Sequence, residues 1–132
     1  MATLDVHVVT PEREVWTGDA SMVIARALDG DVGILPGHTP LVAVLRVGPL
    51  FIESTEQGRL SAAVDGGFLH VAPGNDRTRV DVLAEEAVMS GEVDEADIRR
   101  FEELAEELRG NHEFDEARAE DAKARTRQRL SE

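Results

Sequence analysis

Short apolar runs broken by glycine and proline fill residues 3–86, and a helical repeat replaces them after about Ser90. That change of period limits the available folds more than any other feature of the chain. Leu4, Val6 and Val8 alternate with Asp5 and His7, the two-residue period of a half-buried strand. Runs at Met22–Leu28, Val42–Val47, Leu50–Ser54, Leu60–Val64, Phe68–Ala72 and Thr78–Leu83 also read as strands. The first of these is less regular, because Met22, Val23 and Ile24 are consecutive and Arg26 interrupts the run. Pro49, Gly58, Asp65-Gly66-Gly67 and Pro73-Gly74-Asn75 read as the turns between strands. Many short strands joined in this way predict an antiparallel β-sandwich or flattened barrel over residues 1–87. Nothing alternates strand with helix, which argues against a dinucleotide-binding fold.

In residues 88–132 the period lengthens. Ile98, Phe101, Leu104 and Leu108 recur at spacings of three, three and four, a narrow apolar stripe on one helical face. Asp94 suits the N-cap and Gly110 the C-terminal stop. Asn111-His112 then reads as a turn. A second helix is predicted from Glu113 or Phe114 to about Leu130, with Ala119, Ala122, Thr126 and Leu130 inward. The expected overall class is therefore mainly β plus α, ending in an antiparallel two-helix hairpin. So few large apolar side chains leave little margin over the entropy of ordering such a hairpin alone. It needs packing against the β body, a partner, or both, and exchange between docked and extended arrangements is expected.

Composition removes several functions. The chain has 132 residues and no cysteine, which excludes disulfide and thiolate chemistry. The formal net charge of -13 and the scarcity of aromatics oppose nucleic-acid binding. No leader pattern or long apolar span is legible, so membrane association is expected only through a partner. Gly30-Asp31-Val32-Gly33 and Asp65-Gly66-Gly67 lack the lysine and hydroxyl residue of a phosphate-binding loop. His7, His38, His70 and His112 have no ligand-like spacing, and no metal or cofactor is expected. Asp29 and Asp31 are more simply a hydrophilic turn than a catalytic pair. With no convincing nucleophile setting, no catalytic residue is assigned.

The candidate contact residues lie in two places. The segment GDVGILPGHTPL at residues 30–41 sets Asp31 and His38 in a bend framed by glycine and proline. Asp31 can pair with a partner's lysine or arginine, and His38 can donate a hydrogen bond or stack. The alternative is solvent-facing polarity in a structural turn. The tail carries Arg99, Arg100 and Arg109 and a denser group at Arg118, Lys123, Arg125, Arg127 and Arg129. These side chains suit an acidic partner, or else a solvated helix with pairs such as Glu120 near Lys123.

Three pieces together resemble the epsilon subunit of F-type ATP synthase, the delta subunit in mitochondrial nomenclature. They are LDVHVVTPEREVWTGDA at 4–20, GDVGILPGHTPLVAVLRVGPL at 30–50 and AAVDGGFLHVAPGNDRTRVDVLAEEA at 62–87, followed by the helical tail. The resemblance implies a non-catalytic central-stalk subunit at the cytoplasmic face of the bacterial cell membrane. Its β domain would join the gamma subunit to the rotor c-ring, with Asp31 and His38 on that face. Its helices, through the basic group at Arg118–Arg129, would reach the alpha/beta catalytic head and restrain ATP hydrolysis. Some relatives bind ATP through an I/L-D-x-x-R-A motif. The matching stretch here is VDEADI at 93–98, where Asp97 stands in the arginine position and would repel phosphate and Ile98 stands in the alanine position, so that Arg99 or Arg100 could compensate only through a changed register. The rival readings are a free-standing ligand-binding β domain with a regulatory hairpin, and a small hydrolase using carboxylates.

Overall fold

A computed structural model describes residues 3–74, 76–89 and 95–110. Six strands are present: β1 (Leu4–Val9), β2 (Glu14–Ala27), β3 (Gly30–Ile34), β4 (Leu41–Ser54), β5 (Gly58–Pro73) and β6 (Thr78–Met89). They hydrogen-bond in the order β1-β6-β5-β4-β2-β3, and β1 also pairs with β2, so the sheet closes on itself. One helix, α1, follows at 95–110.

The antiparallel expectation is corrected in one pairing. β1 and β6 run parallel, from Leu4 opposite Thr78 to Val9 opposite Leu83, so the sheet is mixed. A parallel neighbour far along the chain leaves no turn signature in the sequence. The two-helix hairpin is also corrected: α1 is the single helix among the described residues. The segment assigned to the second helix, residues 113–130, lies outside the described residues, as does the Asp94 cap.

Fewer, longer strands replace several of the expected short ones. Pro49 lies inside β4, and Gly66 and Gly67 lie inside β5. The ladder between β2 and β4 steps from Leu50 opposite Ala25 directly to Leu45 opposite Ala27. Pro49 falls in that gap, where its missing N–H deprives no partner on β2. On the other side, partners are matched at Val44–Phe68 and again at Gly48–Val64, and residues between leave the ladder together. The two strands thus bend at a shared position, and each serves both halves of the closed sheet. Proline and glycine mark that bend just as they would mark a turn.

Alternation places the core as the strand pattern demands. Leu4, Val6 and Val8 point inward with Val23, Ile52, Leu69, Val71, Val80 and Val82, and all are fully buried. β2 departs from alternation at Met22–Ala25 because both of its faces are covered. Val23 and Ala25 join the interior, whereas Met22 and Ile24 join Phe51 beneath α1.

The helix buries Phe101 and Ala105, with Leu104 and Leu108 partly covered. Ile98, expected on this stripe, is 37% exposed, and Ala105 takes a place that its small size conceals in the sequence. Phe101 stacks on Phe51 with ring centroids 4.5 Å apart, and the Arg59 guanidinium lies 4.6 Å from the Phe101 centroid. Gly33 of β3 lies under Leu108, since a β-carbon there would overlap Leu108 Cδ1. Phe101 is thus the anchor of the helix. Phe101→Ala is expected to cost about 3–5 kcal/mol of docking energy. Amide exchange should then accelerate across 95–110 while β1 and β6 keep their protection. Unchanged exchange in the helix would contradict this account of its docking.

Candidate protein-contact surface

The segment from Gly30 to Leu41 divides into a strand and a turn. β3 pairs with β2, placing Asp31 opposite Arg26 and Gly33 opposite Ile24. Beyond it, His38 N–H donates to the Leu35 carbonyl at 3.1 Å, and Gly37 N–H donates to Thr78 Oγ1 at 2.7 Å. Gly37 has φ +86°, a conformation that glycine accepts without the β-carbon penalty. His38 Nδ1 lies 2.7 Å from the Thr39 carbonyl, which only an Nδ1–H can satisfy. The half-buried imidazole is thereby held by its own backbone.

Asp31 is less open than its place in a polar bend suggests. Its side chain is only 10% exposed, with Oδ1 3.5 Å from Arg26 Nε and Oδ2 2.7 Å from Arg100 Nε. The Arg100 contact is an ion pair without hydrogen-bond alignment. Arg26 also donates to Asp97 Oδ1 at 2.9 Å. That hydrogen bond, opposed by some burial, raises the Arg26 pKa above its ordinary value, so the guanidinium stays charged. Two arginines and two aspartates from β2, β3 and α1 therefore form one electroneutral cluster. Asp97 is one of its members. Asp29 is exposed in the preceding turn and takes no part.

Further ion pairs hold the rest of the helix: Glu102 with Arg59 at 3.0 Å, and Arg109 with Glu53. Of the basic tail residues, Arg100 and Arg109 are thus engaged with the sheet. Arg118, Lys123, Arg125, Arg127 and Arg129 lie outside the described residues.

One surface escapes the sequence reading. Register places Val44 opposite Phe68, Phe68 opposite Leu83 and Leu83 beside Val9. Val44, Phe68 and Leu83 are 43%, 50% and 47% exposed, forming an apolar row across three adjacent strands. Leu28, whose N–H donates to the Val44 carbonyl, extends the row and is exposed as well. Val9, Pro11 and Gly67 complete a shallow recess beside Phe68 and Leu83. Two residues along the strands, the same face carries Thr17, His7, Asp81 and His70 in register, with exposed Val42 opposite His70. His7 Nδ1 lies 2.9 Å from Thr17 Oγ1, and His70 lies 3.9 Å from Asp81. No group of three or more potential metal ligands converges among the described residues. Pattern alone assigns each apolar residue to a strand without saying which way it faces. The signal available is that Phe68 shares its face with His70, and Leu83 with Asp81, so neither faces the core.

A closed sheet with an exposed apolar row and an ion-paired helix defines a protein-contact subunit. The family model described as "ATP synthase, Delta/Epsilon chain, beta-sandwich domain" matches residues 3–90. The ATP synthase epsilon chain of Streptomyces coelicolor is 39% identical over 124 residues, covering 94% of each chain. That of Thermobifida fusca is 41% identical over 131 residues, covering 97% of this chain and 91% of its own. Among solved structures, a chain of the Euglena gracilis mitochondrial ATP synthase OSCP/F1/c-ring assembly superposes with a TM-score of 0.61 at 26% identity, over 80% of this chain. The present chain spans 65% of that chain's length. The chain belongs to the ATP synthase epsilon-chain family. Its role is that of a non-catalytic central-stalk subunit coupling rotor rotation. No helix among the described residues is long and apolar enough to cross a membrane.

Proposed function

We propose that the closed sheet joins the gamma subunit to the rotor c-ring, seated on gamma through the row of Val44, Phe68 and Leu83. The exposed apolar row supports this reading most directly, because contiguous apolar patches on soluble proteins mark contact sites. The turn at His38 and the acidic position Asp31 are the contacts proposed for the ring. Residues 1–87 act as the rotor-contact body and residues 88–132 as a regulatory tail. The tail, through Arg118, Lys123, Arg125, Arg127 and Arg129, is proposed to meet the alpha/beta catalytic head and restrain ATP hydrolysis. The protein would then be peripheral, held at the cytoplasmic face of the bacterial cell membrane by the complex. Asp97 holds Arg26 and its own charge opposes an anionic nucleotide, so regulation by bound ATP is not part of this reading.

The test compares the full chain with one ending after Met89, which keeps every strand, in reconstituted synthase. Both are expected to assemble with gamma and the ring, and the shortened chain should permit faster ATP hydrolysis. Unchanged hydrolysis would remove the inhibitory tail from the proposal. Failure of the full chain to assemble would remove the stalk contact itself.

A further inference from the structure

Inward positions on β6 are apolar with one exception. Thr78, Val80, Val82 and Ala84 follow at every second residue, and all four are buried. A hydroxyl at the first of these positions breaks the series, and burying it without a partner would be costly. Its partner is distant in the sequence. Thr78 Oγ1 accepts the Gly37 N–H at 2.7 Å, across 41 residues. Ser54, the other buried hydroxyl among the described residues, accepts the Gln57 N–H within its own turn. Thr78 instead ties the segment after β3 to the start of β6.

The peptide that Thr78 holds is the one that defines the turn. Leu35 to His38 is closed by the bond from His38 N–H to the Leu35 carbonyl, with Pro36 second and Gly37 third. Proline at the second position and φ +86° at the third make it a type II turn. Proline there suits a type I turn as well, and the two forms differ by a flip of the central peptide. That flip reverses the direction of the Gly37 N–H, so only the type II form delivers it to Thr78. The peptide is trans, so the Pro36 carbonyl points the other way, away from Thr78. Packing at the tip does not make this choice. A β-carbon on Gly37 would meet nothing within 4 Å, and a crevice of about 290 Å³ borders Pro36, Gly37, Pro73 and Gly74.

We propose that Thr78 is a positioning residue for this turn: its hydroxyl selects the type II form, which sets the Pro36 carbonyl outward as an acceptor beside His38. Thr78 touches no partner itself and acts through Gly37. The inference rests on the reading of the His38 turn as a contact for the ring.

The experiment uses the full chain, with purified gamma–c-ring complex lacking this subunit as the probe. Affinity and exchange of the amide at position 37 are measured for wild type, Thr78→Val, Thr78→Ser, Gly37→Ala and His38→Ala. Thr78→Val keeps the branched shape but removes the acceptor. It is expected to speed exchange at Gly37 and weaken binding about tenfold, the scale of one hydrogen bond. Thr78→Ser, which keeps the hydroxyl, should restore both. Gly37→Ala disfavours the type II form with Thr78 intact, so it should weaken binding similarly and carries the test independently of β6. Wild-type exchange at Val80 and Val82 establishes that each variant is folded. Fast exchange at Gly37 with wild-type affinity in Thr78→Val would overturn the positioning role where His38→Ala still weakens binding. So would a Thr78→Ser chain that protects the Gly37 amide yet binds no better than Thr78→Val. If His38→Ala also binds as wild type does, the ring contact of the turn fails, and the positioning role with it.

Discussion

Gly67→Ala is expected to lower the unfolding free energy by about 3 kcal/mol or more, combining a forbidden backbone conformation with a backbone clash. Gly67 sits at φ +111°, which side-chain-bearing residues rarely adopt. A β-carbon there would collide with the Leu83 carbonyl oxygen and stand 2.8 Å from Ala84 Cα. Both obstacles are backbone atoms of the paired strand, so no rotamer change relieves them. The β5–β6 ladder must open where Gly67 faces Ala84. A loss of that size corresponds to roughly 12 °C or more in Tm for a domain of this order. Gly58→Ala is the control: its φ is +73° but no atom lies within 4 Å, so only the conformational cost of about 1–2 kcal/mol remains. Thermal melts of the two variants decide the matter. Equal melting temperatures would show that close strand approach is not what requires glycine at 67.

Phe68→Asp is expected to weaken binding to gamma about 100-fold or more, the scale of a central aromatic anchor in an interface. Stability should change by less than about 1 kcal/mol, because the ring is half exposed and not part of the interior. The new carboxylate would sit in the middle of the apolar row, with Val44 and Leu83 on either side. Burying it against a partner would leave an unpaired charge in a desolvated contact. Val47→Asp offers a comparison, since Val47 is also exposed but lies in the gap where β4 leaves the β2 ladder. It should bind as wild type does. Titration of each folded variant against gamma measures the difference. Equal affinities for the two substitutions would exclude the row as the gamma contact.

These two positions also illustrate how far residue patterns carry. Gly67 reads from sequence as a turn or bulge residue, and its need for glycine is legible there. Its location inside a continuous 16-residue strand is not, because a bend within a strand and a turn between strands call for the same residue. Alternation correctly places Phe68 on a strand, yet the face it occupies depends on the partner register. β3 escapes the pattern because Gly30, Asp31 and Gly33 carry no strand propensity, and pairing with β2 holds them extended.

Local periodicity by itself determined the β body, the helical segment after it, the inward set Leu4, Val6 and Val8, and the Phe101–Leu108 stripe. The order of three segments along the chain carried the family resemblance. Only the tertiary structure decided that β1 lies parallel to β6, that Phe68 and Leu83 form an exposed row, and that Asp31 is enclosed by Arg26 and Arg100. Periodicity is a property of neighbouring residues along the chain. Register and ion pairing join residues far apart in it, and their energies exist only once those partners have met.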